Sequence, residues 1–277
     1  MQTETSDTIL SDRQIAIALF FGLLAVYVAV YRGQLEVYDT QAMLGVTQNL
    51  VDHGSLRAGG AGYALATSWA PYGIGISLLA VPLYALSKWT GHYVLLVSLL
   101  APVLTSLCSV TIFRIARALD WRAHEGVVAA VGFGGLSMAL WYTTQLLSEP
   151  AVTLCMLVII LWLIRWREGN RNAPLWIGSA AAFAVQLRTD SLFLVCVGLL
   201  AIPLFVARPV LLARRTIVAL SVPMVISLAA LGWYNHLRFN RIFVTTYGPG
   251  GGFSTPLFHG LRGLLPVRER ACSSSIH

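Results

Sequence analysis

Residues 71–87, PYGIGISLLAVPLYALS, decide how this chain is threaded. Their length approaches the ~20 apolar residues that cross a bilayer, yet Gly73, Gly75 and Pro82 interrupt the run. If the segment crosses, the N-terminus lies outside and residues 32–70 are cytoplasmic. If it is re-entrant or interfacial, the N-terminus lies inside and Asp39 faces out. The Gly and Pro breaks favour the second reading, because backbone groups freed at membrane depth must find partners within protein. Residues 32–70 contain only Arg32 and Arg57 as basic residues, so charge counting leaves both topologies open.

Outward from this segment the chain is a series of apolar runs, at 14–31, 93–113, 125–147, 150–164, 174–187, 191–207 and 216–234. Hydrophobic residues make up 57% of the 277 and charged residues 11%, against about 25% charged in soluble domains. With a mean hydropathy of +0.71, that deficit predicts an all-α, polytopic membrane protein. The net charge of +7 is carried in short clusters between runs. Arg114, Arg117 and Arg122 form the first, Arg165, Arg167 and Arg171 the second, and Arg208, Arg214 and Arg215 the third. Such clusters mark cytoplasmic loops facing anionic headgroups, and this pattern argues against a nucleic-acid groove. Pairs of runs separate the clusters, so polar motifs at 148–150, 188–190 and 235–265 are expected on the opposite side.

The N-terminal MQTETSDTILSDR is acidic and lacks the basic start and small-residue cleavage site of a secretory signal, so the first run reads as a retained anchor. Cys108, Cys155 and Cys196 lie within apolar runs and Cys272 near the end; no spacing predicts a disulfide framework or a zinc site. VGFGGLSM, residues 131–138, follows no strand and reads as small residues for close helix packing rather than a nucleotide loop.

Four polar groupings carry the candidate chemistry. Glu36 and Asp39 precede Ala42, Met43, Val46 and Leu50, whose spacing predicts a helix along the membrane surface, with Asp39 as a possible N-cap. A carboxylate there could also act as a general base, a role worth about 10²–10⁴ in rate. Glu149, in SEP at 148–150, either complements a helix N-terminus or joins the chemistry. Arg188 and Asp190, in LRTD at 187–190, sit between two apolar runs, where charges are usually paired or functional. The late stretch WYNHLRFNRIFVTTYGPGGGF, residues 233–253, supplies Arg238, Arg241 and Tyr247. Its arginines suit phosphate, and its aromatics equally suit an interfacial belt.

In order, VYDTQAMLGVTQNLVDHGSL, SWAPYGIGISLLAVPLY, SEP, RTD and YNHLRFN…TTYGPGGGFSTPL resemble the GT-C membrane glycosyltransferases. The likeness is to the dolichyl-phosphate-mannose protein mannosyltransferase and aminoarabinose-transferase group, over roughly residues 14–265. The resemblance implies a first extracytoplasmic loop at 32–92 with a helix like 71–87 at the outer face. It implies a cytoplasmic tail at 1–13, a transmembrane domain at 14–234 with about seven spans, and a late extracytoplasmic loop at 235–265. Asp39 matches the family's catalytic base for inverting transfer from a polyprenyl-phosphate sugar, with Glu36 or Glu149 as its partner. Arg188, Arg238 and Arg241 are candidates for the donor phosphate, alongside Asp190 and Tyr247 as substrate contacts and Lys88 as a further cation. No cofactor is expected beyond the lipid-linked donor, and no acidic cluster argues for a dedicated metal site, which leaves a metal requirement open; the partners implied are membrane lipid, the lipid-linked sugar and an acceptor glycan, lipid or protein. A transporter or flippase of a lipid-linked substrate is the alternative. The tail at 266–277, ending VRERACSSSIH, departs from the family pattern. One codon choice for it reads, in another frame, as a family-like Ser-Pro-Gly-Lys-Gly run. A frameshift or truncation is the expectation there, and an inactive fragment is the third reading.

Overall fold

The computed structural model describes residues 10–31, 33, 35, 37–58, 69–205, 212–244 and 258. Glu36 and Tyr247 lie outside the described residues, as do Arg208 and the atypical tail. Among the described residues the regular structure is helical, with no strand.

The first helix, α1 (Asp12–Val30), starts in a capping box in which Ser11 and Gln14 satisfy each other's backbone groups. Next come α2 (Tyr38–His53) and α3 (Gly75–Thr90), each closed by a glycine in the left-handed conformation, Gly54 and Gly91. A short α4 (Tyr93–Ser98) leads into α5 (Leu100–Ala118). After α6 (Ala123–Leu136) and the single turn α7 (Ala139–Tyr142) come α8 (Glu149–Arg167), α9 (Ala173–Leu187) and α10 (Ser191–Phe205). The last, α11 (Arg214–Phe239), ends at Asn240 with φ of 54°.

Among the described residues four helical stretches are long and apolar enough to cross a membrane: Asp12–Val30, Tyr93–Ala118, Glu149–Arg167 and Arg214–Phe239. The sequence-based expectation of about seven spans is therefore not supported. Continuous apolar runs overstate helix length. The run at 125–147 breaks at Ser137, and α6, α9 and α10 have 14, 15 and 15 residues. At about 1.5 Å per residue these reach roughly 21–23 Å, short of a ~30 Å hydrocarbon core. The disputed 71–87 segment becomes α3, a 16-residue helix with Pro82 inside it, and is not among the four.

One apolar core joins Met43 of α2, Ile76 and Ala80 of α3, Leu104 of α5, Cys155 of α8 and Leu187 of α9. The segment expected to lie on a surface is thus packed into the bundle, and α2 buries Thr40 and Thr47 as well as its apolar stripe. Both hydroxyls remain satisfied: Thr40 donates to the Leu146 carbonyl at 3.4 Å and Thr47 to that of Ser77 at 3.1 Å. A second cluster packs Ala16 and Leu19 of α1 on Phe113 of α5 and Ala130 of α6. Within 131–138, Gly134 is the position of close approach, since a Cβ there would lie 2.5 Å from the Tyr27 hydroxyl. Gly132 and Gly135 face open space.

The outer surface is strongly apolar. Phe21, Val128, Phe193, Val225, Ile226 and Trp233 are all exposed, as is Cys196. A water-facing monomer rarely leaves so much apolar surface uncovered; hydrocarbon would cover it without cost.

Helix direction sorts the polar residues into two ends. From Glu149 to Arg165, α8 advances 16 residues, or about 24 Å. The starts of α1, α6, α9 and α11 and the ends of α5 and α8 carry the arginine clusters. The Arg215 guanidinium reaches Asn172, at the start of α9. At the other end lie the start of α2, the 69–75 segment, the start of α8, residues 188–190 and the end of α11.

Candidate active site

The centre of the second end is a strap, residues 69–75, laid across the C-terminus of α9. Gly73 and Gly75 permit this approach. A Cβ on Gly73 would lie 2.4 Å from the Gln186 carbonyl oxygen, and one on Gly75 would lie 2.9 Å from the Leu187 nitrogen. Neither contact can be relieved by a side-chain rotation, because both neighbours are backbone.

Arg238 holds the strap from the other side. Its Nη1 donates to the carbonyls of Ala70 at 3.0 Å and Tyr72 at 3.2 Å, and its Nη2 to Asn235 Oδ1 at 2.6 Å. The guanidinium also lies 4.2 Å from the Tyr234 ring centroid and 4.8 Å from that of Phe239. Trp69 packs edge-on to Tyr234. Arg238 is only 8% exposed, so burial and these partners make it a strut for the strap.

What the strap presents is Tyr72, whose hydroxyl donates to Asp39 Oδ1. Asp39 is half-buried in the first turn of α2, but it is not the N-cap; Val37 takes that position, without a side-chain cap. The Val37 backbone N–H is instead met by Gln145 Oε1 at 3.4 Å, from the segment leading into α8. Thr40 bonds the same segment through Leu146. Asp39 is thereby fixed between the strap and the residues just before Glu149.

Glu149, Arg188 and Asp190 form one ionic group. Arg188 Nη1 donates to Glu149 Oε1 at 2.5 Å, and its Nε and Nη2 each donate to Asp190 at 3.1 Å. The fork-to-fork geometry towards Asp190 is the bidentate arrangement guanidinium favours. It holds the Asp190 carboxyl below its ordinary value of 3.8. The local Arg188–Asp190 pair thus exists, and the acid at the start of α8 joins it. Among the described residues Glu149 Oε2 has no hydrogen-bond partner.

The remaining candidates separate. Arg241 lies exposed just past α11, and no ion pair among the described residues holds it. Lys88 pairs with Asp52, which also accepts from the Tyr84 hydroxyl at 2.9 Å, tying the end of α2 to α3. The Lys88 hydrogen bond keeps the Asp52 carboxyl below its ordinary value. Among the described residues no group of three or more His, Cys, Asp or Glu side chains could hold a metal ion.

Sequence reasoning missed Tyr72, Gln145 and Asn235 as site residues. Tyr72 stands inside the quoted PYG motif, and its position before Gly73 is the one available signal. Gln145 and Asn235 acquire their roles only through partners distant in sequence or on the next helical turn.

No protein-family model, no curated protein and no solved structure matches this chain.

Proposed function

We propose that the chain is a multi-pass membrane glycosyltransferase of GT-C-like arrangement, with its arginine-rich end in the cytoplasm and Asp39 as the catalytic base at the extracytoplasmic end. The observation that carries this reading is the carboxylate of Asp39, half-buried and oriented by the Tyr72 hydroxyl where the strap meets the start of α2 and the residues before Glu149. The sequence resemblance gives the reaction class, and the geometry is compatible with it. With Tyr72 on Oδ1, the Oδ2 oxygen takes the proton of an acceptor hydroxyl. The acceptor oxygen then bonds to the anomeric carbon as the bond from that carbon to the lipid phosphate breaks. The polyprenyl phosphate leaves with the bonding pair, and the anomeric configuration inverts.

Arg241 is an exposed cation, without an ion pair among the described residues, that can meet that phosphate. Arg188 already faces two carboxylates, so its part is to hold Glu149 and Asp190 in place beside the acceptor. A transporter would place its polar residues at the midpoint of broken spans; here they gather at helix ends, which favours the enzyme.

The test uses membranes containing the full chain, a radiolabelled polyprenyl-phosphate hexose and extractable acceptor. Transfer by the wild type and its loss in Asp39→Asn, at unchanged expression and insertion, is the expected result. Equal transfer by both proteins removes Asp39 as the base, and no transfer by the wild type across hexose and pentose donors overturns the reading.

A further inference from the structure

At the arginine-rich end, a cavity of about 460 Å³ opens between the start of α1 and the ends of α5 and α8. Its mouth carries Arg13, Arg114, Arg117 and Arg165, against the single carboxylate of Asp12. Its floor is apolar, formed by Phe113, Leu161 and Trp162. Trp162 is itself stacked on Trp176, with ring centroids 5.4 Å apart and planes 10° from parallel, which fixes the floor.

The four guanidiniums are not equally committed. Arg117 is held by both oxygens of Asp12, at 3.1 and 3.0 Å, and by the Trp121 carbonyl. Arg165 pairs with Glu168 at 3.1 Å. No ion pair among the described residues holds Arg13 or Arg114, and both are exposed. Like charges brought to one cavity without a matching set of acids repel one another, and an anion entering between them relieves that repulsion.

We infer that this cavity is a binding site for a phosphate-bearing anion, with Arg13 and Arg114 as its principal donors. Guanidinium forks match phosphate oxygens two at a time. Basic pockets between helix ends are where membrane proteins seat anionic headgroups. The apolar floor beside the charged mouth suits a headgroup whose acyl chains continue down the exposed faces of α1 and α8. A soluble phosphate shares the headgroup chemistry without the chains. The site lies about 24 Å along α8 from Glu149, so it stands apart from the proposed transfer chemistry.

The experiment is native mass spectrometry of the full chain in mild detergent, offered equimolar phosphatidylglycerol and phosphatidylcholine, with and without millimolar inorganic phosphate. Wild-type protein should retain phosphatidylglycerol preferentially. Arg13→Gln with Arg114→Gln should weaken that retention about thirtyfold, the effect of two cations at the membrane surface. Arg122→Gln, a cation at the same end outside the cavity, should leave it unchanged. Displacement by inorganic phosphate alone assigns the site to soluble phosphates; resistance to it assigns the site to lipid. Equal retention of the two lipids by the wild type, together with no phosphate binding, overturns the inference whether or not the double variant folds. So does a double variant that is monodisperse and binds like the wild type.

Discussion

The two ends of the helical bundle treat charge in opposite ways. At one end Asp39, Glu149 and Asp190 are each engaged by a donor: a tyrosine hydroxyl for the first, a shared guanidinium for the others. Arg238 there is buried against carbonyls and rings. At the other end two of four arginines lining an open cavity stand without an ion pair among the described residues. Charges locked by neighbours hold fixed positions, as chemistry on a bound substrate requires. Charges left open at a rim suit an exchangeable anion. The same helices, α1 and α8, connect both ends, so their apolar lengths hold two electrostatic environments apart.

The largest effect that would break this contrast is on transfer. Asp39→Asn keeps an oxygen for Tyr72 and removes the basic carboxylate, so the proposed glycosyl transfer should fall by about 10²–10⁴ in an initial-rate assay, with the thermal midpoint unmoved. A variant that loses stability in step with activity would make Asp39 structural instead.

Gly73→Ala attacks the strap. Its new Cβ would overlap the Gln186 carbonyl, and overpacking of this kind costs about 1–3 kcal/mol. Thermal unfolding in detergent should register that loss. Gly132→Ala, which meets open space, should leave the midpoint in place.

Arg188→Gln leaves Glu149 and Asp190 without their shared cation. The pair with Glu149 is part-exposed at both partners, so the cost falls between surface and buried ion pairs, about 1–2 kcal/mol. A double-mutant cycle with Glu149→Gln measures the coupling. The same variant should bring the titration of Asp190 up towards 3.8, followed by carboxyl NMR. In the wild type that carboxyl is held low by Arg188, so its contribution is complete above the unfolded value. The contribution fades as pH falls through the lowered folded value.

The smallest effect is expected at Lys88. Its pair with Asp52 is solvated, and Lys88→Gln should cost no more than about 1 kcal/mol, shrinking further in high salt.

Much of this was legible in the order of residues. The apolar runs set an all-helical chain, because a backbone surrounded by hydrocarbon must satisfy its own hydrogen bonds. The alternation of arginine clusters with acidic motifs predicts opposite ends for the two, and the helix directions place Arg165 and Glu149 accordingly. Helix ends were less legible. Apolar composition continues through Ser137 although the helix stops there, and against seven expected spans the described residues hold four helices of sufficient length.

What only tertiary structure decided is which polar group meets which. That Asp39 belongs to Tyr72, and not to its own helix cap, depends on where the strap crosses α9. That crossing depends on two missing Cβ atoms and on Arg238, 166 residues further along the chain. Periodicity reports which face of a helix is apolar, since it is a property of neighbours in sequence. Pairing across the bundle depends on how those faces pack, and no local pattern of residues contains it.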